Sequence, residues 1–175
     1  TTEEKTMTGP LTTALHALPT AAPFALIARD KNSVELLTGD AIDVELLADI
    51  PLVDTAGIPR EVLALVPYRQ VRERGFVCID DEAPLRCLVV SEHTSFDRDA
   101  VIAELPSAPV ALVDAGFDIA DDEYADIVRR VIADEIGRGE GAYFVIRRDF
   151  TAHVDADAQV AALTWFRALL EHERG

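Results

Sequence analysis

The chain has 175 residues, 49% hydrophobic and 27% charged, and its 32 acidic against 16 basic residues give a formal charge of −16. At this length roughly 70% of the unfolded surface can be buried. The composition is that of an ordinary globular protein, which excludes a disordered or fibrous class. The negative charge disfavours binding to nucleic-acid phosphates or acidic lipids, so we expect neither nucleic acid nor membrane as a partner. With no leader pattern and no apolar run near about 20 residues, the sequence predicts a cytoplasmic protein.

The first 18 residues are predicted to form a flexible terminus and one short helix. Residues 1–8 are polar and start without Met, so we expect a frayed or engineered end. The apolar residues of Leu11–Leu18 predict a helix, which Pro19 ends.

Residues 19–115 are predicted to form a β-rich, antiparallel N-terminal lobe. Short runs of branched residues between turn formers indicate strands. These are Phe24–Ala28, Val34–Leu37, Val62–Val66, Phe76–Ile79 and Leu85–Val90. Turns are expected at Asp30–Ser33, Thr38–Asp40 and Asp80–Pro84. Val44–Leu47 is either a strand or a helical turn, because the run is too short for its period to decide. Asp97 or Asp99 caps a short helix through Leu105, and Val110–Val113 is a strand.

Residues 116–175 are predicted to form helix, strand and helix, which makes the fold class α+β. Asp121–Gly137 is the first helix, Ala142–Ile146 the strand and Asp157–Glu171 the second helix. One buried stripe is expected on the first helix, comprising Tyr124, Ile127, Val128, Val131, Ile132 and Ile136. Inward-facing residues are expected on the second, namely Val160, Leu163, Phe166, Leu169 and Leu170.

The glycine-rich stretch Gly137–Gly141 invites interpretation as a phosphate-binding loop. Such loops run from strand to glycine loop to helix, so that the helix N-terminal amides face the anion. Here a helix C-terminus precedes the glycines. We therefore favour a plain connection between a helix and a strand.

Two groups of arginines stand out in an acidic chain. Arg69, Arg72 and Arg74 could hold carboxylates of a dicarboxylate substrate or of an acidic partner. The alternative, which we favour, is internal pairing with neighbouring acids, which are Glu61, Glu73, Asp80 and Asp81. The same two alternatives apply to the stretch Arg147–Asp149.

The histidines and cysteines show no catalytic or metal-binding spacing. His16, His93, His153 and His172 are scattered, which favours surface or capping roles. Cys78 and Cys87 lack a CxxC partner, and we expect free buried thiols on neighbouring strands rather than a disulfide or reactive pair.

Four segments together resemble one family, the chorismate-utilising enzymes. They are PYRQVRERGF at Pro67–Phe76, DDEAPL at Asp80–Leu85, GFDIADDEYADIVRRVIADEIGRGEGAYFVIRRDF at Gly116–Phe150 and ALTWFRALLEHERG at Ala162–Gly175. The sequence is most similar to the N-terminal part of phenazine-pathway 2-amino-2-deoxyisochorismate synthases. The wider family includes anthranilate, isochorismate and salicylate synthases.

The resemblance implies an enzyme that uses chorismate and Mg²⁺ and receives ammonia from a glutamine amidotransferase domain or subunit. Residues 116–175 would then be the start of a chorismate-binding domain. The rest of that domain is a further expected partner of this chain. The Mg²⁺ ligands of the family lie mostly in that domain, so we expect no metal to be held by this chain alone and no turnover by it. We also expect the final helix to expose an apolar stripe that a second copy can cover in a homodimer. The stripe comprises Val160, Leu163, Phe166 and Leu170.

The resemblance also singles out Tyr143 as a candidate catalytic residue on the nucleophile side of the site. Relatives place Asn, Gln or Lys there, and Lys activates water in isochorismate and salicylate synthases. A phenol is a poor base at neutral pH, which argues against water addition. The alternative is a core tyrosine packed under the Asp121–Gly137 helix.

Two other functions stay open for the chain. The first is an enzyme similar to component I of anthranilate synthase. The second is a non-catalytic regulatory or assembly module. Tryptophan-regulated relatives carry a Leu-Leu-Glu-Ser motif in this lobe, and Leu36-Leu37-Thr38 lacks its Glu and Ser.

Overall fold

The computed structural model describes residues 9–19 and 21–173, and within them the fold is α+β, as predicted. The chain divides into two compact units. The first comprises the chain up to Pro106 together with the part from Phe166 onward, and the second is Ser107–Trp165. The predicted frayed end at 1–8 lies outside the described residues, and the predicted domain boundaries after residues 18 and 115 stay predictions.

A four-stranded antiparallel sheet forms the centre of the first unit. In chain order the elements are α1 (Pro10–Ala17), β1 (Phe24–Ile27), β2 (Ser33–Val44), β3 (Val62–Leu65), β4 (Leu85–Asp97) and α2 (Arg98–Glu104), with 3-10 turns at Leu47–Asp49 and Tyr68–Arg74. The strand order is β1-β2-β4-β3, and every neighbouring pair is antiparallel. The antiparallel lobe predicted from the sequence is therefore confirmed.

The predicted turn at Thr38–Asp40 is wrong, because β2 continues through it. The register between β2 and β4 shifts between Thr38 and Gly39, which is a β-bulge. A Cβ added at Gly39 would lie 1.9 Å from the carbonyl oxygen of Val89. Gly39 therefore allows the backbones of β2 and β4 to approach closely, and it does not form a turn. Val44 ends β2 and Leu47 begins a 3-10 turn, so each alternative for Val44–Leu47 holds for part of the run.

The predicted strand Phe76–Ile79 is also wrong. Gly75 takes a left-handed conformation (φ 82°) that ends the preceding 3-10 turn. The run pairs with no strand within the described residues, and Phe76, Val77 and Ile79 are exposed. β4 pairs with β2 along its length and with β3 over Arg86–Val89, so both edges of β4 are occupied over those four residues.

Buried aliphatic side chains from the sheet and from the helices make up the core of the first unit. They are Leu11, Val34, Leu36, Leu37, Leu85, Cys87, Leu88, Val101, Leu105 and Leu170. The start of α2 is fixed by Asp97, whose side chain accepts a hydrogen bond from the backbone N–H of Ala100 at 2.9 Å. The predicted capped helix is thus confirmed, and of the two candidates Asp97 is its cap.

The second unit contains a two-stranded antiparallel sheet and helices. Its elements are β5 (Leu112–Phe117), α3 (Asp121–Arg130), a π-helical segment (Val131–Glu135), a 3-10 turn (Ile136–Arg138) and β6 (Phe150–Val154). The last helix, α4 (Ala158–His172), starts in this unit and reaches Phe166, where the first unit resumes. The two long helices are confirmed, while the strand expected at Val110–Val113 lies later, at β5.

The predicted strand Ala142–Ile146 is wrong, because these residues belong to no strand in the structure. The partner of β5 is instead β6, further along the chain. A short apolar run favours a strand, but it does not identify which segments of the chain pair with each other.

The predicted apolar stripes are buried less evenly than expected. On α3 and its continuation none of the stripe residues is fully buried, and Ile132 and Ile136 are exposed. On α4, Leu163 and Leu170 are buried whereas Val160 and Leu169 are exposed. The continuous exposed stripe expected on the last helix is therefore wrong at Leu163 and Leu170.

None of the described helices is both long enough and apolar enough to cross a bilayer.

Candidate functional site

The site residue predicted from the sequence, Tyr143, lies in the second unit on a stretch that belongs to no helix or strand. We call residues 142–149 the Tyr143 segment. It begins just after the helix that ends at Gly139, a residue in the left-handed conformation (φ 81°). The Tyr143 side chain is 83% exposed, so it is not packed under the preceding helix. This exposure disagrees with the core-tyrosine alternative and leaves the phenol free to contact a ligand.

The side chains of the segment alternate in exposure, as they do along a β-strand. Tyr143 and Val145 are 83% and 80% exposed, Phe144 is exposed to a smaller extent at 41%, and Ile146 is half-buried. The larger exposure of Tyr143 and Val145 agrees with one shared face, although the segment belongs to no sheet.

Arg148 anchors the far end of the segment. Its guanidinium carbon lies 4.0 Å from the ring centre of Phe117 and 5.3 Å from that of Tyr124, within cation–π range. Its Nε donates to the carbonyl oxygen of Ile119 at 2.9 Å, and Nη2 contacts the carboxylate of Asp121. All of these partners lie within the second unit.

Arg147 makes only a local ion pair. Its Nε donates to Asp149 at 2.8 Å, and this hydrogen bond lowers the pKa of the Asp149 carboxyl. Internal pairing, one of the two alternatives from the sequence, is thus what the structure shows for both arginines of this stretch.

The glycine-rich stretch Gly137–Gly141 follows a helix C-terminus, and the next element after it is the strand β6. This agrees with the favoured interpretation as a connection and not with a phosphate-binding loop, in which a helix N-terminus follows the glycines.

Of the three arginines singled out in the first unit, Arg69 and Arg72 pair internally with Asp80, at unequal distances. Arg72 lies 2.9 Å from the carboxylate of Asp80 and Arg69 lies 3.9 Å from it. A hydrogen bond from the backbone of Glu82 and the charges of both arginines lower the pKa of Asp80. Within the described residues Arg74 has no ion pair, and Nε of Arg69 is buried without a hydrogen-bond partner.

His93 joins acidic residues from two neighbouring parts of the sheet, a grouping that the sequence analysis missed. Its Nδ1 lies 2.9 Å from Glu61, just before β3, and its Nε2 lies 3.7 Å from Glu35 on β2. Arg29 in turn lies 3.3 Å from Glu35. His93, Glu35 and Glu61 are far apart in sequence. Only the cross-strand register of β2 and β4, which places Leu37 opposite His93, could have indicated that His93 lies near Glu35.

A cleft of about 560 Å³ opens in the first unit beside the C-terminal end of α4. Lys31, Arg98, Phe166 and Leu170 are among its lining residues. Arg98 Nη2 donates to the carbonyl oxygen of Leu170 at 2.7 Å. This guanidinium therefore already provides a hydrogen-bond donor to a backbone carbonyl in the last turn of α4. Nothing in the sequence pattern marked the cleft.

The described residues contain no group of three His, Cys, Asp or Glu side chains placed to hold a metal ion. Both cysteines are free thiols; Cys87 is buried on β4, whereas Cys78 is half-buried and not on a strand, contrary to the prediction. Burial raises the pKa of the Cys87 thiol.

Comparison with known proteins gives two related matches. The chain is 44% identical over 174 residues to a protein named "Anthranilate synthase, phenazine specific" from Pseudomonas chlororaphis, a match covering 93% of this chain and 27% of that protein. It is 42% identical over 163 residues to a protein of the same name from Pseudomonas fluorescens, covering 90% of this chain and 26% of that protein. No protein-family model matches. The chain thus spans about a quarter of the length of these curated relatives and is homologous to a portion of phenazine-specific anthranilate synthases.

Proposed function

We propose that the chain is the N-terminal portion of a chorismate-aminating synthase that makes 2-amino-2-deoxyisochorismate. The observation that carries the proposal is the 44% identity, along nearly the whole chain, to a protein named as a phenazine-specific anthranilate synthase. An identity of this size over so long a stretch also supports a shared fold for the matched portion.

In the proposed reaction ammonia adds to C2 of chorismate, and the C4 hydroxyl leaves as water. A C–N bond forms, a C–O bond breaks, and the proton lost from nitrogen leaves with the hydroxyl. A glutamine amidotransferase domain or subunit supplies the ammonia, and the reaction takes place in the cytoplasm. Mg²⁺, when bound, neutralises substrate carboxylates, and its ligands lie outside the described residues.

Tyr143 is our candidate for the residue beside the incoming nucleophile. Its exposure supports this role, since an exposed phenol can meet a ligand and a core tyrosine cannot. A tyrosine hydroxyl hydrogen-bonds but does not readily take a proton from water at neutral pH, which favours amination over hydration.

The test uses the longest protein that the reading frame containing this chain encodes. We expect it to convert chorismate with Mg²⁺ and ammonium to the aminated product, detected by chromatography and mass spectrometry. The 175-residue chain alone is expected to show no turnover. Turnover by that short chain, or none by the long protein, contradicts the proposal. A frame that stops at Gly175 favours the non-catalytic module, and anthranilate as sole product favours the anthranilate synthase alternative.

Substitutions at Tyr143 in the same protein test its role. We expect Tyr143→Asn to keep or raise amination and Tyr143→Lys to permit some water addition, because a desolvated lysine has a lowered pKa. Tyr143→Phe with unchanged turnover and product, together with mere loss of stability in the other two variants, contradicts the assignment.

A further inference from the structure

Within the described residues, the hydrogen bonds that hold the Tyr143 segment lie toward its C-terminal end. Its last residue is fixed to the loop after β5, where the backbone N–H of Asp149 donates to the Asp118 side chain at 3.0 Å and the Asp118 N–H donates to the Asp149 carbonyl at 2.9 Å. The Tyr124 hydroxyl donates to the Ile146 carbonyl oxygen at 3.3 Å. Residues 142–145 join no ladder. The placement of Tyr143 therefore depends on contacts made further along the chain.

Arg148 makes the largest of these contacts. Its side chain is only 18% exposed, and it combines stacking on Phe117 with hydrogen bonds to Ile119 and Asp121. Arg147, next to it, is 78% exposed and reaches only Asp149. The two adjacent arginines thus differ in what they hold, although they have the same charge.

The alternation of an extended chain links Arg148 to Tyr143. Side chains of successive residues point to opposite faces, and a slip by one residue reverses every one of them. Arg148 is directed inward, and Tyr143 lies an odd number of residues before it, on the opposite face. The exposures from Tyr143 to Arg148 follow this order, since Tyr143, Val145 and Arg147 are exposed to a larger extent than the residues between them: Phe144 is 41% exposed, and Ile146 and Arg148 are half-buried.

We propose that Arg148 is a positioning residue that fixes which face of the segment Tyr143 presents to the substrate. Tyr124 assists by holding the carbonyl of Ile146. This inference rests on the proposed function for the role of Tyr143, but the fixing of the segment is a property of the second unit itself.

The test compares Arg148→Met and Arg148→Lys with the matched control Arg147→Met in the longest protein of the reading frame. Misplacement of a reacting group by about 1 Å costs on the order of 10²-fold in rate. We expect Arg148→Met to lower kcat about 10- to 100-fold with less than about a threefold change in KM. Arg148→Lys, which keeps the charge but not the planar stacking, is expected to fall between Arg148→Met and the unsubstituted protein. Arg147→Met is expected to leave kcat unchanged.

Hydrogen exchange of residues 142–146, followed by mass spectrometry, gives a second readout. We expect faster exchange in Arg148→Met and no change in Arg147→Met. If Arg148→Met fails to fold, Tyr124→Phe replaces it, because that change removes only a hydroxyl; we then expect faster exchange and a smaller loss of kcat.

The outcomes separate the two proposals. If the unsubstituted protein does not turn over chorismate, the proposed function fails, and the exchange experiment still decides whether Arg148 fixes the segment. If turnover is present but Arg148→Met keeps kcat within about twofold, or if Arg147→Met is equally harmful, the positioning role is overturned. Unchanged exchange in both Arg148→Met and Tyr124→Phe overturns it as well.

Discussion

The carboxylate of Glu104, on α2, caps the first turn of α1 through Thr12. Oε2 of Glu104 accepts hydrogen bonds from the backbone N–H of Thr12 at 2.9 Å and from its hydroxyl at 3.3 Å. Both residues are buried. The first N–H groups of a helix lack partners within the helix and carry partial positive charge, so a carboxylate satisfies and stabilises them. A residue 92 positions later in the chain thus completes the start of α1.

Removing this cap should destabilise the protein. We expect Glu104→Ala to lower the free energy of unfolding by about 1–3 kcal/mol, because a buried N–H loses its acceptor. Urea denaturation measures it. The control Thr13→Ala removes an exposed hydroxyl that donates only to the Gly9 carbonyl, and should change stability by no more than about 0.5 kcal/mol.

Gly9 offers a second test of the same contact. A Cβ at Gly9 would lie 2.1 Å from Cδ of Glu104, so Gly9→Ala should displace the carboxylate and destabilise the protein. In the Glu104→Ala background the same change should cost less, with a coupling of about 0.5–3 kcal/mol. Additive effects of the two changes would contradict the contact.

The sequence predicted those elements whose pattern is long and locally complete. The α4 helix has about four turns of helical spacing, and α2 has a capping aspartate and a terminating Pro106, so both were found within a residue or two. The strands at Phe76–Ile79 and Ala142–Ile146 were wrong, because an apolar run shows that a strand is suitable but not that a pairing edge is free.

The site was predicted less completely for the same reason. The sequence singled out Tyr143 by its place after the glycine-rich stretch but left open whether the side chain is exposed or packed in the core. The contact of Arg148 with Phe117 and the contact of His93 with Glu61 each join residues more than 30 positions apart. Only the tertiary fold brings such pairs together, so a single sequence gives no signal for them.

Gly39 should tolerate no side chain, because the carbonyl of Val89 occupies the space of a Cβ. We expect Gly39→Ala to lower the free energy of unfolding by at least about 2 kcal/mol, since the backbone of β4 must move. Gly116 is a matched control, because it also lies at a register shift in a strand but a Cβ added there would meet no atom within 4 Å beyond its chain neighbours. Thermal or urea unfolding should show Gly116→Ala within about 0.5 kcal/mol of the unsubstituted protein.

Asp30 should make the β1–β2 turn sensitive to acid. Its carboxylate accepts hydrogen bonds from the backbone of Asn32 and Ser33, each at 2.7 Å, and these bonds lower its pKa. A lowered folded-state pKa means that the stabilisation is present above the unfolded value of about 3.9 and is lost as the pH falls through the folded value.

The measurement is thermal unfolding of Asp30→Asn between about pH 7 and pH 3, which brackets the unfolded pKa of the carboxyl. The variant should have a lower Tm at neutral pH and should lose less Tm than the unsubstituted protein on acidification. Asp40→Asn is the control, because Asp40 makes no side-chain hydrogen bond or ion pair in the part of the chain that is described. A steeper loss of Tm in Asp30→Asn than in the unsubstituted protein would falsify the prediction.

Arg69 should contribute little to stability despite its burial. Its side chain is 15% exposed, its Nε has no hydrogen-bond partner in the described parts of the chain, and its distance to Asp80 is 3.9 Å. A buried cation with such weak partners does not recover its desolvation cost, and replacement by an apolar side chain of similar length is often neutral or stabilising. We expect Arg69→Met to leave the free energy of unfolding within about 1 kcal/mol of the original or to raise it. Arg72→Met is the comparison: loss of the closer ion pair should move the pKa of Asp80 back toward its ordinary value, which NMR titration of the carboxyl measures. A loss of more than about 2 kcal/mol in Arg69→Met would instead mean that the guanidinium holds the fold together.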